Sequence, residues 1–255
     1  MRYDVIGLGL SVVDCLIRLK DPTVVFQGKG GQFRPDRILP KKSRQILDWS
    51  IQGGGLTATA MAAVGRLGGK AAMITKVGDD EWGRFIISNF TEYHVDTSHV
   101  FVDKSLTTWV TFILIGKDGS NQWVRPETLT DFDLPDDISR AANWVMSHQR
   151  TPMERMQLST YSQDELDIVT DGKILNLGNA DDTFLEAARI ARKHDIPTCL
   201  DMEAGLVRAI RICGRSCRTS RTASPRGGRP WPSPTRRTRG PCAGPSWPTA
   251  PRWPG

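Results

Sequence analysis

The stretch that decides the fold is Gly53-Gly54-Gly55-Leu56-Thr57-Ala58-Thr59-Ala60-Met61-Ala62-Ala63-Val64-Gly65-Arg66-Leu67-Gly68-Gly69. Three glycines open it, two close it, and the residues between are small and mostly apolar. The pattern predicts a tightly packed helix over 56–67. A side-chain-free backbone at its start lets a ligand come close to free N–H groups, and Thr57 or Thr59 could add a hydroxyl. The same alanines would also serve a helix laid flat on a neighbour, and both readings stand at this point.

Working outward, Tyr3–Leu8 is a short apolar run ending in Gly7 and Gly9, the pattern of a buried strand. Val12–Leu19 continues as extended chain, residues 20–45 are polar and rich in Gly and Pro, and the chain returns as a strand over 45–51. After the helix, Ala71–Val77 reads as a strand, 80–93 as a helix and His99–Val102 as a strand. Lys117-Asp118-Gly119-Ser120 joins 107–115 to 121–124 as a hairpin. A helix over 138–146, a strand over 173–177, a helix over 183–194 and a strand over 198–201 follow. Strands alternating with helices imply an α/β fold, a doubly wound and mostly parallel sheet with helices on both faces. The excursion and the hairpin are expected as antiparallel additions to it.

Gly7-Leu8-Gly9-Leu10-Ser11-Val12 invites a dinucleotide reading, but Val12 stands where a third glycine is needed and extended chain follows in place of a helix. That reading is rejected. Asp14 is expected at a strand end, where its two carboxylate oxygens can accept from adjacent hydroxyls of a polyol. A solvated turn Asp is the plain alternative.

Together these residues resemble the ribokinase-like carbohydrate kinases, the PfkB family. The resemblance rests on Gly54-Gly55, the Ala-rich helix, Arg66-Leu67-Gly68, and Val77-Gly78-Asp79-Asp80 with Gly83. The opening Gly7-x-Gly9 with Asp14, and Asp201 ending a strand, agree with it. It covers residues 3 to about 205. It implies ATP-dependent phosphoryl transfer to a sugar hydroxyl, with Mg2+ at the phosphates in intact relatives. It also implies that Asp14 binds sugar hydroxyls, that Gly54 and Gly55 frame the sugar, and that segments 12–51 and 107–125 form a lid that pairs two subunits. The family's usual Asn in the helix falls at Thr59, a departure at the sugar contact. The family's N-x-x-E, which organises Mg2+, has one textual match at Asn89-Phe90-Thr91-Glu92. It lies far earlier than the family places that motif, and is read as chance. The family's catalytic stretch, with its terminal G-A-G-D, occurs nowhere in this chain. No catalytic residue and no metal ligand is therefore assigned.

Composition divides the chain at about 210. Residues 1–210 hold 24 Lys+Arg against 28 acids, whereas 211–255 hold ten Arg and no acid. Those last residues comprise only Arg, Pro, Gly, Ser, Thr, Ala, Cys and Trp, plus Ile212. With one aliphatic side chain larger than Ala, the segment cannot offset an ordering cost of ~1–2 kcal/mol per residue, so it is expected to be disordered. All eight types have C or G at the middle codon position, which is what a slipped frame in GC-rich coding DNA would produce. The expectation is a frameshifted tail behind a kinase domain that lacks its C-terminal third, leaving a chain without activity. A sugar-binding regulatory pseudokinase, and a basic arm for nucleic acid, are the alternatives.

No window reaches the ~18 consecutive apolar residues of a membrane helix. The opening MRYDVIGLGLSVVD carries acids at Asp4 and Asp14 and no small-residue cleavage site, so it reads as a strand. With no export signal expected, the five cysteines are taken as reduced thiols in the cytoplasm.

Overall fold

The structure is a computed structural model, and it describes residues 2–20, 45–117, 119, 121–130, 132–149, 161–178 and 182–200. All of them fall within one unit, Met1–Cys213. The expectations for the polar excursion 21–44, for Asp201 and for the Arg/Pro-rich tail lie outside the described residues.

The main sheet is built from β1 (Val5–Leu8), β4 (Ala71–Gly78), β5 (Val95–Asp96), β6 (Val100–Asp103), β9 (Leu175–Leu177) and β10 (Thr198–Leu200). Its order is β10-β9-β1-β4-β5, with β6 pairing the far end of β4 on the same side as β5, and every pair is parallel. The alternation of β4 explains the layers. Ala71 and Met73 point to one face and join the core beneath α1 (Leu56–Arg66) and α2 (Glu81–Glu92). Ala72 and Ile74 point to the other face, against Phe184, Ala187 and Ala191 of α5 (Asp182–Lys193). A sheet apolar on both faces has to be covered on both, which is the doubly wound arrangement expected from the sequence.

The remaining strands depart from expectation. β2 (Val12–Leu19), β3 (Ile46–Gly54), β7 (Val110–Ile115) and β8 (Asn121–Val124) form a separate four-stranded sheet of order β3-β2-β7-β8. β2–β3 and β7–β8 are antiparallel, but the two hairpins meet through a parallel β2–β7 pair, so they are not antiparallel additions to the main sheet. One face of this second sheet carries Cys15, Ile17, Phe112 and Leu114, all fully buried together with Ile138, Ala141 and Val145 of α3 (Asp136–His148). Burying that face holds the second sheet onto the body. A short helix, α4 (Gln163–Leu166), begins at a capping box on Ser162 and Glu165, a signal small enough to escape the periodicity reading.

The Val77-Gly78-Asp79-Asp80 turn has a mechanical role. Asp80 caps α2 by accepting from Gly83 N at 2.8 Å, and its other oxygen accepts from Thr108 N at 2.9 Å. Thr108 Oγ1 in turn accepts from Gly78 N at 2.9 Å. The turn is thereby clamped to the strand that leads into β7.

Candidate functional site

A cleft of about 270 Å³ opens where the end of β3 passes into α1. Asp14, Gln52, Gly54, Thr59, Arg66 and Asn89 supply its polar lining, and Ile86 and Phe90 of α2 part of its apolar wall.

Asp14 is the third residue of β2, not the end of a strand as expected from the sequence. It faces the cleft because β2 alternates: Val13 and Cys15 turn into the core, and Asp14 turns away from it. Its register partners are Gln52 on β3 and Thr111 on β7. The Thr111 hydroxyl donates to Asp14 Oδ1 at 2.5 Å. Oδ2 lies against the α-carbon of Gly54, in space that a Cβ at that position would need. Burial pushes the Asp14 carboxyl above its ordinary range, and the Thr111 hydrogen bond opposes that shift.

Gly55 ends the approach at φ 102°, a left-handed conformation that side chains avoid, with the Leu10 carbonyl oxygen against it. As the residue before α1 it makes no side-chain cap. It does not line the cleft itself; it turns the chain so that Gly54 and Thr59 do.

The two threonines of the helix separate cleanly. Thr57 is 1% exposed, packed against the bare α-carbons of Gly7, Gly9 and Gly178, and its hydroxyl has no partner among the described residues. Thr59 is exposed and lines the cleft. The packing reading of this helix thus holds for the face that carries Thr57, while Thr59 stands on the face that lines the cleft.

Sequence reasoning missed Thr111, Gln52 and Asn89. Thr111 and Gln52 could be found only from strand register, which no local pattern reveals. Asn89, which the sequence offers only as half of a chance N-x-x-E match, lines the cleft, whereas Glu92 is exposed and does not. Among the described residues no three His, Cys, Asp or Glu side chains come together as a metal site, so no Mg2+ step is assigned to them.

A parallel sheet covered on both faces, a small second sheet, and a Gly-Gly turn opening an Ala-rich helix over an acid together define an α/β fold of the ribokinase-like class. Residues 33–205 match the pfkB family of carbohydrate kinases, and the chain belongs to that family. Among individual relatives, it is 28% identical over 123 residues to ribokinase of Mus musculus, covering 48% of this chain and 38% of that protein. It is 35% identical over 71 residues to probable fructokinase-2 of Arabidopsis thaliana, 28% of this chain and 22% of that one. The chain thus spans well under half the length of these relatives. Among solved structures, Arabidopsis thaliana ribokinase complexed with ribose and ATP superposes with TM-score 0.50 at 16% identity, over 79% of this chain and 54% of that one. The microbiome-derived acarbose kinase Mak1 gives 0.51 at 17%, over 79% and 54%. At such identities the superpositions establish the fold.

Among the described residues, no helix is long and apolar enough to cross a membrane.

Proposed function

We propose that this chain is the sugar-holding part of an ATP-dependent carbohydrate kinase, and that as a 255-residue chain it transfers no phosphoryl group. The single observation that carries the sugar reading is the seating of Asp14. One carboxylate oxygen is engaged by Thr111, and the other lies over Gly54 at the cleft. A carboxylate accepts hydrogen bonds at both oxygens, and adjacent hydroxyls of a polyol are the neutral groups that donate in pairs. At about 270 Å³ the cleft falls just below the ~300–1,000 Å³ of usual ligand pockets and has room for a monosaccharide. Asp14, Gly54 and Thr59 contact the sugar in this reading, and Gly55 sets the turn that presents them.

The inactivity reading is supported by the absence of G-A-G-D from the sequence. Phosphoryl transfer depends on a base aimed at the attacking hydroxyl and on donors that hold the phosphoryl charge. Each such charge-stabilising contact contributes ~3–4 kcal/mol to lowering the barrier, so a chain without them has no measurable turnover. Arabidopsis thaliana ribokinase is complexed with ATP, and in this reading ATP and Mg2+ are not bound productively by the present chain. The restricted composition of 211–255 supports a frameshift as the origin of that stretch.

Two smaller elements belong to the same reading. The four-stranded sheet acts as the lid over the sugar. Its open face carries Leu16, Ile113 and the 43% exposed Trp123, which are neighbours in register, and this apolar stripe pairs two subunits into a homodimer. The chain works in the cytoplasm.

The test is calorimetric titration of the purified chain with D-fructose and D-ribose, beside an ADP-release assay with ATP and Mg2+. Sugar binding without ADP release is the expected result. Phosphorylation of any sugar sinks the inactivity reading, and absence of binding by both sugars sinks the sugar reading.

A further inference from the structure

Asn89 is a cleft residue to which the reading above gives no role. It lies on α2, and its Oδ1 sits against the α-carbon of Gly53, where a Cβ would collide with it. Gly54, the next residue, gives way in the same manner to Asp14 Oδ2. Consecutive residues of a strand face opposite sides, so Asp14 and Asn89 flank β3, one on each side. β3 is an edge strand, and the cleft runs along its end with α1 and α2 as the far wall. Asp14 and Asn89 both line this one cleft, so a ligand that fills it is offered both polar groups.

The chemistry of the two groups is complementary. An ionised Asp14 only accepts, and one of its oxygens is already engaged by Thr111. A sugar hydroxyl that donates to Asp14 leaves oxygen lone pairs, on itself and on its neighbours, that need a donor from the protein. Asn89 carries both kinds of group, and with Oδ1 turned to Gly53 its Nδ2 is the one left for the cleft. Among the described residues no hydrogen bond engages the Asn89 side chain. We propose that Asn89 is a ligand-binding residue, donating from Nδ2 to a polyol oxygen next to the hydroxyl that Asp14 holds. The inference rests on the sugar reading of the cleft and gives it a second, donor-side contact.

The test titrates the full chain with D-fructose, D-ribose and their monodeoxy derivatives. It compares wild type, Asn89→Ala, the near-isosteric but apolar Asn89→Leu, and Asp14→Asn. The expected result is a tenfold or greater loss of affinity in both Asn89 variants. One monodeoxy sugar that binds wild type at least tenfold more weakly than its parent should bind the Asn89 variants no worse than the parent does, because the lost hydroxyl and the lost amide are the same contact. Should Asn89→Leu bind both sugars like wild type while Asp14→Asn does not, the Asn89 contact is refuted and the sugar reading stands. Equal weakening for every monodeoxy sugar likewise refutes it, as the mark of a general packing effect. Failure of wild type to bind either sugar removes the sugar reading and this contact with it.

Discussion

The carboxylate of Asp14 occupies the space that a side chain at Gly54 would fill. Residue 54 is the last of β3 and residue 14 the third of β2, so the antiparallel pairing of two strands brings them together. The bare α-carbon is what lets the acid stand at the cleft, and this pair organises the first expectations below.

Gly54→Ala should be destabilising and should abolish sugar binding, because its Cβ meets Asp14 Oδ2. Overpacking of this kind costs ~1–3 kcal/mol. Adding Asp14→Ala should recover most of that stability and none of the binding. Urea unfolding of the two single variants and the double variant measures the recovery, and additive losses would show that the contact is not the cause.

Asp14→Asn should raise the melting temperature at neutral pH while removing sugar binding. Burial raises the folded-state pKa of Asp14 above its unfolded value, so ionising it costs the folded chain stability. That cost is absent below the ordinary carboxylate pKa, grows as pH climbs past it, and is complete above the raised folded value. The stabilisation by Asn should therefore appear above that window and vanish at more acid pH, as read from melting curves across a pH series. The Thr111 hydrogen bond survives, since the Asn carbonyl still accepts.

Acid and base should each loosen the N-terminal end of the sheet through Asp96 and Tyr3. Burial would raise the Asp96 pKa, but hydrogen bonds from Ser98 and Tyr3 and the charge of Arg2 outweigh it and hold the group at about 2. A depressed carboxylate stabilises above its unfolded pKa of ~4 and loses that contribution as pH falls toward 2. Tyr3, only 4% exposed and donating to Asp96 at 2.7 Å, is pushed up to about 12 by burial and by Asp96. Its contribution is complete below pH ~10 and lost on the way to 12. Phenolate absorbance should show one late-titrating tyrosine, absent in Tyr3→Phe.

Asp80→Ala should destabilise by about 2 kcal/mol. It removes an N-cap, worth ~1 kcal/mol, and leaves Thr108 N without its acceptor at a cost of ~1 kcal/mol or more. Asp80→Asn should recover the cap and part of the loss. Equilibrium urea denaturation followed by circular dichroism checks both.

The regular elements with strong periodicity were legible without coordinates. The Gly-bounded alanines of α1 and the continuous apolar run of β4 each state their structure locally, because small side chains and unbroken hydrophobicity have few other uses. What was not legible is pairing. Asp14, expected at a strand end, is instead paired on both sides, with Gln52 and with Thr111, and neither partner is named by the residues around it. Val95–Asp96 is two residues long, too short for any period. The parallel union of β2 with β7 joins segments almost a hundred residues apart, and nothing in either segment names the other.

The amino-acid sequence by itself determined the family, the layered α/β plan, the glycine turn before the Ala-rich helix and the charge divide near residue 210, because each is written in neighbouring residues. Tertiary structure alone decided that Thr59 meets the cleft while Thr57 is sealed in, that Thr111 holds Asp14, and that Asn89 stands on the other side of the glycine strand. Those facts depend on which face of one element is pressed against another, and faces are settled by burying apolar area between elements far apart in the chain.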